Sequence, residues 1–161
     1  LELLARTGMP PLLGRLLSLG PRGGAARRIL SWDRGPEGLR GLCLEGDDSE
    51  LEEGMALLNG RGLHIKTKRV DPRARELRYE VFFPHDVDLP FLMSHFSTEP
   101  RPQDFIHPNG ISAIARVEYP LPVPKRDTVR RLSDDQRLEL VEPGQAIKVT
   151  FDDDSVLGKP R

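Results

Sequence analysis

The chain has 161 residues, enough for one compact domain or two very small ones. Lys and Arg number 24 against 25 Asp and Glu, giving a net charge of -1 with the signs interspersed, which disfavours nucleic-acid binding by bulk charge and attraction to an anionic membrane. Apolar residues at 37% support a modest core, and the only cysteine, Cys43, excludes an intrachain disulfide and any multi-cysteine zinc site.

The longest apolar stretch, Met9 to Leu19, is broken by Gly14 and Arg15 and falls short of the roughly 20 residues a membrane span needs. It also lacks the flanks of a secretory signal, so a reducing, cytoplasmic setting is expected. Leu1-Glu2-Leu3-Leu4 reads as the end of a strand, and a chain opening there suggests that its natural beginning is missing. A short helix is expected from Leu12 to Leu19, ending at Gly20-Pro21. Pro21 to Gly38, rich in glycine and arginine, reads as a long connection in which Trp32 tacks the loop onto a core surface.

Leu39 to Leu44 suits a buried strand, and Asp47-Asp48-Ser49 supply the capping chemistry for a helix through about Leu58. Three strand-like stretches follow: Leu63 to Val70, Glu76 to Phe83 and Leu89 to Phe96. The short polar link Asp71-Pro72-Arg73-Ala74-Arg75 joins the first two as a hairpin, so the order is βαβββ. Ser97 to Gly110 is proline-rich and aperiodic. A strand from Ile111 to Tyr119, one helical turn over Thr128 to Leu132, and a hairpin of Arg137 to Glu142 with Ala146 to Phe151 across Pro143-Gly144 complete the pattern, with Asp152 to Arg161 as a frayed tail.

This pattern resembles the vicinal oxygen chelate superfamily, and within it the glyoxalase-like branch. Leu1-Glu2-Leu3 is similar to the last strand of a first unit, and Gly38-Leu39-Arg40-Gly41-Leu42 to the opening of the next. Leu89-Pro90-Phe91-Leu92-Met93-Ser94-His95 resembles the branch's closing strand, and His107-Pro108-Asn109-Gly110-Ile111 the entry to a further unit. The resemblance implies an α+β fold of curved mixed sheets. Residues 1–38 would be the end of one βαβββ unit plus linker, 39–96 a complete unit, 97–110 a linker, 111–151 a shortened β(α)ββ unit and 152–161 a tail.

Members of this superfamily hold a divalent metal (Zn, Fe, Mn or Ni) between paired units, on His and Glu from central strands. The resemblance therefore implies a metal-dependent lyase, isomerase or dioxygenase acting on a small oxygenated substrate, with Glu2, His95 and His107 as the candidate metal ligands. Met93 and Ser94 stand where metal-binding relatives often carry glutamate, which favours a non-catalytic member that binds a small ligand as the alternative. A third reading is a fragment active only when paired with another chain, so a homodimer is expected.

No catalytic residue and no organic cofactor site is indicated. Glycines 20, 23 and 24 lack the preceding strand of a phosphate loop. His64 and His85 read as surface residues, Asp152-Asp153-Asp154 as a solvated acidic end, the basic hairpin from Lys66 to Arg78 as an exposed sheet face, and Cys43 as core.

Overall fold

The structure, a computed structural model, describes residues 23–34, 38–100 and 106–157. The expected strand at Leu1–Leu4, the helix at Leu12–Leu19 and Glu2 lie outside the described residues.

The unit from 39 to 96 is built as its periodicities dictate. Strand β1 (Cys43–Gly46) runs through one residue, Asp47, into helix α2 (Asp48–Leu57). Helix α1 (Gly23–Arg34) precedes both. Strands β2 (Gly62–Val70), β3 (Glu76–Pro84) and β4 (Phe91–Ser94) follow, and the sheet order is β1-β4-β3-β2. The outermost strands in sequence, β1 and β4, are parallel neighbours, with Leu44 opposite Leu92, while β2, β3 and β4 run antiparallel. Helix α2 closes one face of this sheet: its Leu51 packs with Phe82 and Leu92 in a buried cluster. Phe82 pairs in register with Leu92 on β4 and His64 on β2, so this row of the sheet faces the helix at its centre and reaches solvent at the β2 edge.

Gly54 allows the close approach. A Cβ on it would lie 2.6 Å from Leu92 Cδ1 and 3.4 Å from Leu132 Cδ2, so the absent side chain lets α2 sit on the sheet and against the following helix at once.

The second sheet departs from expectation. Strand β5 (Ile114–Pro120), helix α3 (Val123–Leu132), β6 (Leu138–Val141), β7 (Lys148–Phe151) and β8 (Val156–Leu157) form a sheet of order β6-β5-β7-β8. The expected hairpin across Pro143-Gly144 does not form. Strand β6 instead lies parallel to β5, with Val117 opposite Leu138, and β7 pairs with the other side of β5. The physical reason is the helix: α3 is a full 10 residues rather than one turn, long enough to carry the chain back so that β6 starts beside the middle of β5. Pro122 and Pro124 look like breakers, yet at the first turn of a helix a missing N–H costs nothing. Within the expected tail, Val156–Leu157 adds a short edge strand to β7.

A second correction concerns Pro21 to Gly38: Gly23–Arg34 is helical, not a connection. Trp32 does pack on the core, but from this helix, with its ring 6.0 Å from Phe91, which in turn stacks on Phe83.

The two sheets share a core in which Leu89 from the first unit meets Tyr119, Leu121, Val129 and Ile147 from the second. The loop between β3 and β4 forms the joint. Its carbonyls at Asp86 and Leu89 accept hydrogen bonds from Arg28 on α1, and its carbonyl at Asp88 accepts one from the Tyr119 hydroxyl at 2.6 Å. Lys125 of α3 pairs with the carboxylates of Asp86 and Asp88. Among the described residues, no helix is long and apolar enough to cross a membrane.

Candidate functional site

Of the expected metal ligands, His95 and His107 are among the described residues. The parallel pairing of β1 with β4 brings the residue after β4 beside the residue after β1, and the His95 backbone N–H donates to the Gly46 carbonyl at 2.7 Å. Asp47 follows directly and caps α2. Its carboxylate accepts from the Glu50 N–H at 2.8 Å, and Glu50 reaches back to the Asp47 N–H at 2.8 Å, a reciprocal capping box. The Glu50 N–H and the Ser49 hydroxyl hold the Asp47 carboxyl below the usual carboxylate range, and the neighbouring His95 adds to this.

Exposed, His95 stands at the rim of a bowl of about 680 Å³ whose far side is formed by Lys66, Lys68 and Arg78. Those cations are each paired with a carboxylate along the sheet. Lys66 pairs with Glu80 at 2.7 Å, Lys68 with Glu76 at 2.6 Å and Arg78 with Glu76 at 2.8 Å. The basic hairpin is thus a face of alternating charge, as expected. Ser94 is buried and used structurally, its hydroxyl accepting from the Glu80 N–H and donating to the His95 carbonyl, each at 3.0 Å.

His107 sits on an exposed turn whose carbonyl accepts from the Gly110 N–H at 2.9 Å. Among the described residues, no three His, Cys, Asp or Glu side chains gather where they could hold a metal ion. His95 and His107 therefore do not make a metal site by themselves. Asp152 and Asp153 are occupied locally, by Ser112 and Ser155. His64 lies 2.7 Å from Glu80, and His85 lies 3.0 Å from Arg27, both exposed contacts.

A larger concavity lies elsewhere, between the two sheets. It is a groove of about 740 Å³ whose floor is apolar, with Leu42, Leu44 and Leu92 from the first unit facing Ile114, Val117 and Leu138 from the second. Helix α2 forms one wall through Glu50 and Glu53. The end of α3 and the turn into β6 form the other, through Arg130, Arg131, Asp134 and Arg137. Asp135 belongs to that turn, and Arg137 holds its carboxyl down at about 2 through side-chain and backbone hydrogen bonds. Cys43, partly buried on β1, also borders the groove. Polar and apolar groups share this lining about equally, so the groove offers a small molecule both apolar contact and polar anchoring.

The order β1-β4-β3-β2 with parallel outer strands is the unit that the sequence pattern resembles, and comparison with protein families agrees with it. Residues 2–134 match the family described as "Glyoxalase-like domain". The chain belongs to this glyoxalase-like family, within the vicinal oxygen chelate superfamily. No curated protein and no solved structure gives a match of significance.

In this glyoxalase-like domain the match takes in α1 to α3 and ends before β6, so the groove is lined by matched residues on the α2 side and partly by unmatched ones, Asp135, Arg137 and Leu138, on the other. Sequence reasoning missed the groove. Its lining comes from β1, α2, β4, β5 and the α3–β6 turn, and no spacing along the chain announces that these meet. The one usable signal was Arg130-Arg131 followed by Asp134-Asp135, a concentration of charge where an apolar helix face ends.

Proposed function

We propose that this glyoxalase-like domain binds a small oxygenated organic molecule in the groove between its two sheets. The observation that carries the reading is the groove itself: about 740 Å³ of concave space with apolar floor residues contributed by both units. Burial on such a floor supplies affinity at roughly 25 cal/mol per Å² of apolar area, while the charged margin orients polar ends.

The enzyme reading, a lyase, isomerase or dioxygenase dependent on a divalent metal, asks for about three protein ligands converging on one point. The described residues do not fit that demand, since no three His, Cys, Asp or Glu side chains among them could hold a metal ion. Glu2 would have to complete the set. Small-ligand binding is the reading the geometry favours.

Amide chemical shifts of the full chain, followed by NMR as diketones, hydroxy acids and phenols are added, test it. The expected result is shift changes at Leu42 to Gly46, at Ile114 to Val117 and at Leu138. Changes confined to His95 and its neighbours, or none with any class, would overturn the groove. A parallel titration with Zn²⁺ and Mn²⁺ reads the metal alternative at His95.

A further inference from the structure

We infer that the outer edge of β2, a surface separate from the groove, takes an extended acidic segment of a partner protein as an added strand. The Asp71 N–H donates to the Arg75 carbonyl at 3.0 Å and the His85 N–H to the Arg61 carbonyl at 2.8 Å, which fixes the phase of the β2–β3 ladder. Bonded pairs recur at every second residue, so Leu63, Ile65, Thr67 and Arg69 turn their N–H and C=O groups to β3. His64, Lys66, Lys68 and Val70 turn theirs away, and these outward groups have no backbone partner among the described residues.

Edge strands are commonly kept short, bulged, broken by proline or covered. This one runs nine residues in unbroken register with β3 and holds no proline. It is open from His64 onward, with His64, Ile65, Lys66, Lys68 and Arg69 exposed and Val70 at 68%.

The side chains choose the occupant. A second copy adding antiparallel through its own β2 must match outward residues with outward residues, so every register that uses most of the strand sets a lysine against a lysine or a histidine. On the same face Lys68 and Arg78 share the one carboxylate of Glu76, at 2.6 and 2.8 Å, and Arg73 in the adjoining turn has no ion pair among the described residues. Lys66 is held by Glu80, with Asp48 and Glu52 of α2 adding to the negative field around it, so the positive excess sits at the Lys68 half of the strand. An incoming carboxylate opposite Lys68 meets that excess, while its neighbours along the added strand fall on the other face, beside Ile65 and Thr67. The lysines that repel a second copy thus favour an acidic strand.

Amide hydrogen exchange of the full chain, read by NMR, tests this with three probes: a short peptide alternating valine with glutamate, the same peptide with lysine for glutamate, and the glutamate peptide N-methylated at its glutamates. The glutamate peptide should slow exchange at His64, Lys66, Lys68 and Val70 and leave Leu63, Ile65 and Thr67, already bonded to β3, unchanged. It should act at a concentration about tenfold lower than the lysine peptide at low salt, with the gap narrowing as salt is raised.

Lys66→Pro removes an outward donor while sparing the β2–β3 ladder, and it should abolish the protection. Lys68→Glu, which keeps every backbone donor, should remove the preference for the glutamate peptide, and it serves if the proline variant loses its circular dichroism. Equal action by the N-methylated peptide overturns strand addition, because that peptide keeps the charge and lacks the donors. Equal or better action by the lysine peptide overturns the acidic partner. Protection that needs no peptide and grows with chain concentration makes a second copy the occupant and overturns the proposal, as does protection by none of the probes.

Discussion

Arg28 Nη1 donates to the carbonyl oxygen of Leu89 at 2.8 Å, and the arginine that makes this bond is 1% exposed. Its Nη2 donates to the Asp86 carbonyl at 2.9 Å, so one guanidinium pins both ends of the loop that joins the two sheets. Burial lowers the pKa of the group from its ordinary value, yet an arginine stays charged throughout the accessible pH range. Arg28→Met should leave two carbonyls without donors and cost about 2–4 kcal/mol, read as a lower urea midpoint. Lys125→Met, which removes a part-exposed pair with Asp86 and Asp88, should cost no more than about 1 kcal/mol in the same assay. Equal losses in the two variants would mean that the loop is not held chiefly by Arg28.

Tyr119 predicts a pH dependence. Burial pushes its hydroxyl up to about 12, with nearby Arg28 opposing and Asp88 and Asp86 adding. The folded value lies above the ordinary value near 10, so the neutral phenol stabilises the fold fully below about pH 10, and the contribution is lost as pH rises toward 12. Tyr119→Phe should cost about 1 kcal/mol at neutral pH, through the lost bond to the Asp88 carbonyl. Between pH 10 and 12 the gap between the two proteins should close. Denaturant midpoints of both across that window check it, and a constant gap would count against the assignment.

The elements that were legible in the sequence are those whose signals are local. Asp47-Asp48-Ser49 announced α2, and the alternation of Leu63, Ile65 and Thr67 with His64, Lys66 and Lys68 announced β2. The helix at Gly23–Arg34 was hidden by the glycines and prolines at its margins, and what folds it is tertiary, the bonds of Arg28 to the β3–β4 loop. Helix α3 was hidden by prolines that are harmless in its first turn. The pairing of β6 with β5 depends on which strand lies nearby in space, and alternation along one strand carries no record of its neighbour. The same limit governs the site. His95 could be placed because it ends a strand, whereas the groove is a property of strands and helices distant in sequence.

Ala74 offers a stabilising change. It has φ 60° in the β2–β3 turn, where Asp71 accepts from the backbone N–H groups of Arg73 and Arg75 and fixes the conformation. A side chain in the left-handed region costs about 1 kcal/mol, and glycine removes that cost. Ala74 is exposed, so no packing is lost. After the greater freedom of glycine in the unfolded chain is counted, Ala74→Gly should still raise stability by about 0.5 kcal/mol, seen as a higher thermal midpoint. A lower midpoint would show that the turn tolerates alanine without strain.

Gly54 should tolerate no branched side chain. Leu92, against which its Cβ would press, is itself held between Leu51 and Phe82 and has little room to turn. Gly54→Val should cost about 1–3 kcal/mol by overpacking. The displaced helix is a wall of the groove, so ligand-induced shifts at Leu42 to Gly46 should weaken in the same variant. A variant with unchanged stability would place α2 farther from the sheet than the described contacts.

The last prediction concerns metal. The donors on hand near His95 are one imidazole and the Asp47 carboxylate, and that carboxylate is already engaged by the Glu50 N–H and the Ser49 hydroxyl. His107 stands on a separate exposed turn. Two donors chelate a divalent ion weakly compared with the three or four of a working site. Calorimetric titration of the chain with Zn²⁺ should therefore show weak binding that His95→Ala removes and His107→Ala leaves unchanged. Asp47→Asn should weaken it too while leaving the cap of α2 in place, since the amide oxygen accepts the Glu50 N–H as the carboxylate does. Glu2→Gln is the decisive variant. If the unaltered chain binds one Zn²⁺ tightly and Glu2→Gln and His95→Ala each abolish it, the carboxylate and the imidazole share a metal and the enzyme reading displaces the groove. If binding is weak and indifferent to Glu2, the family resemblance extends to the fold while the metal centre of its catalytic members does not.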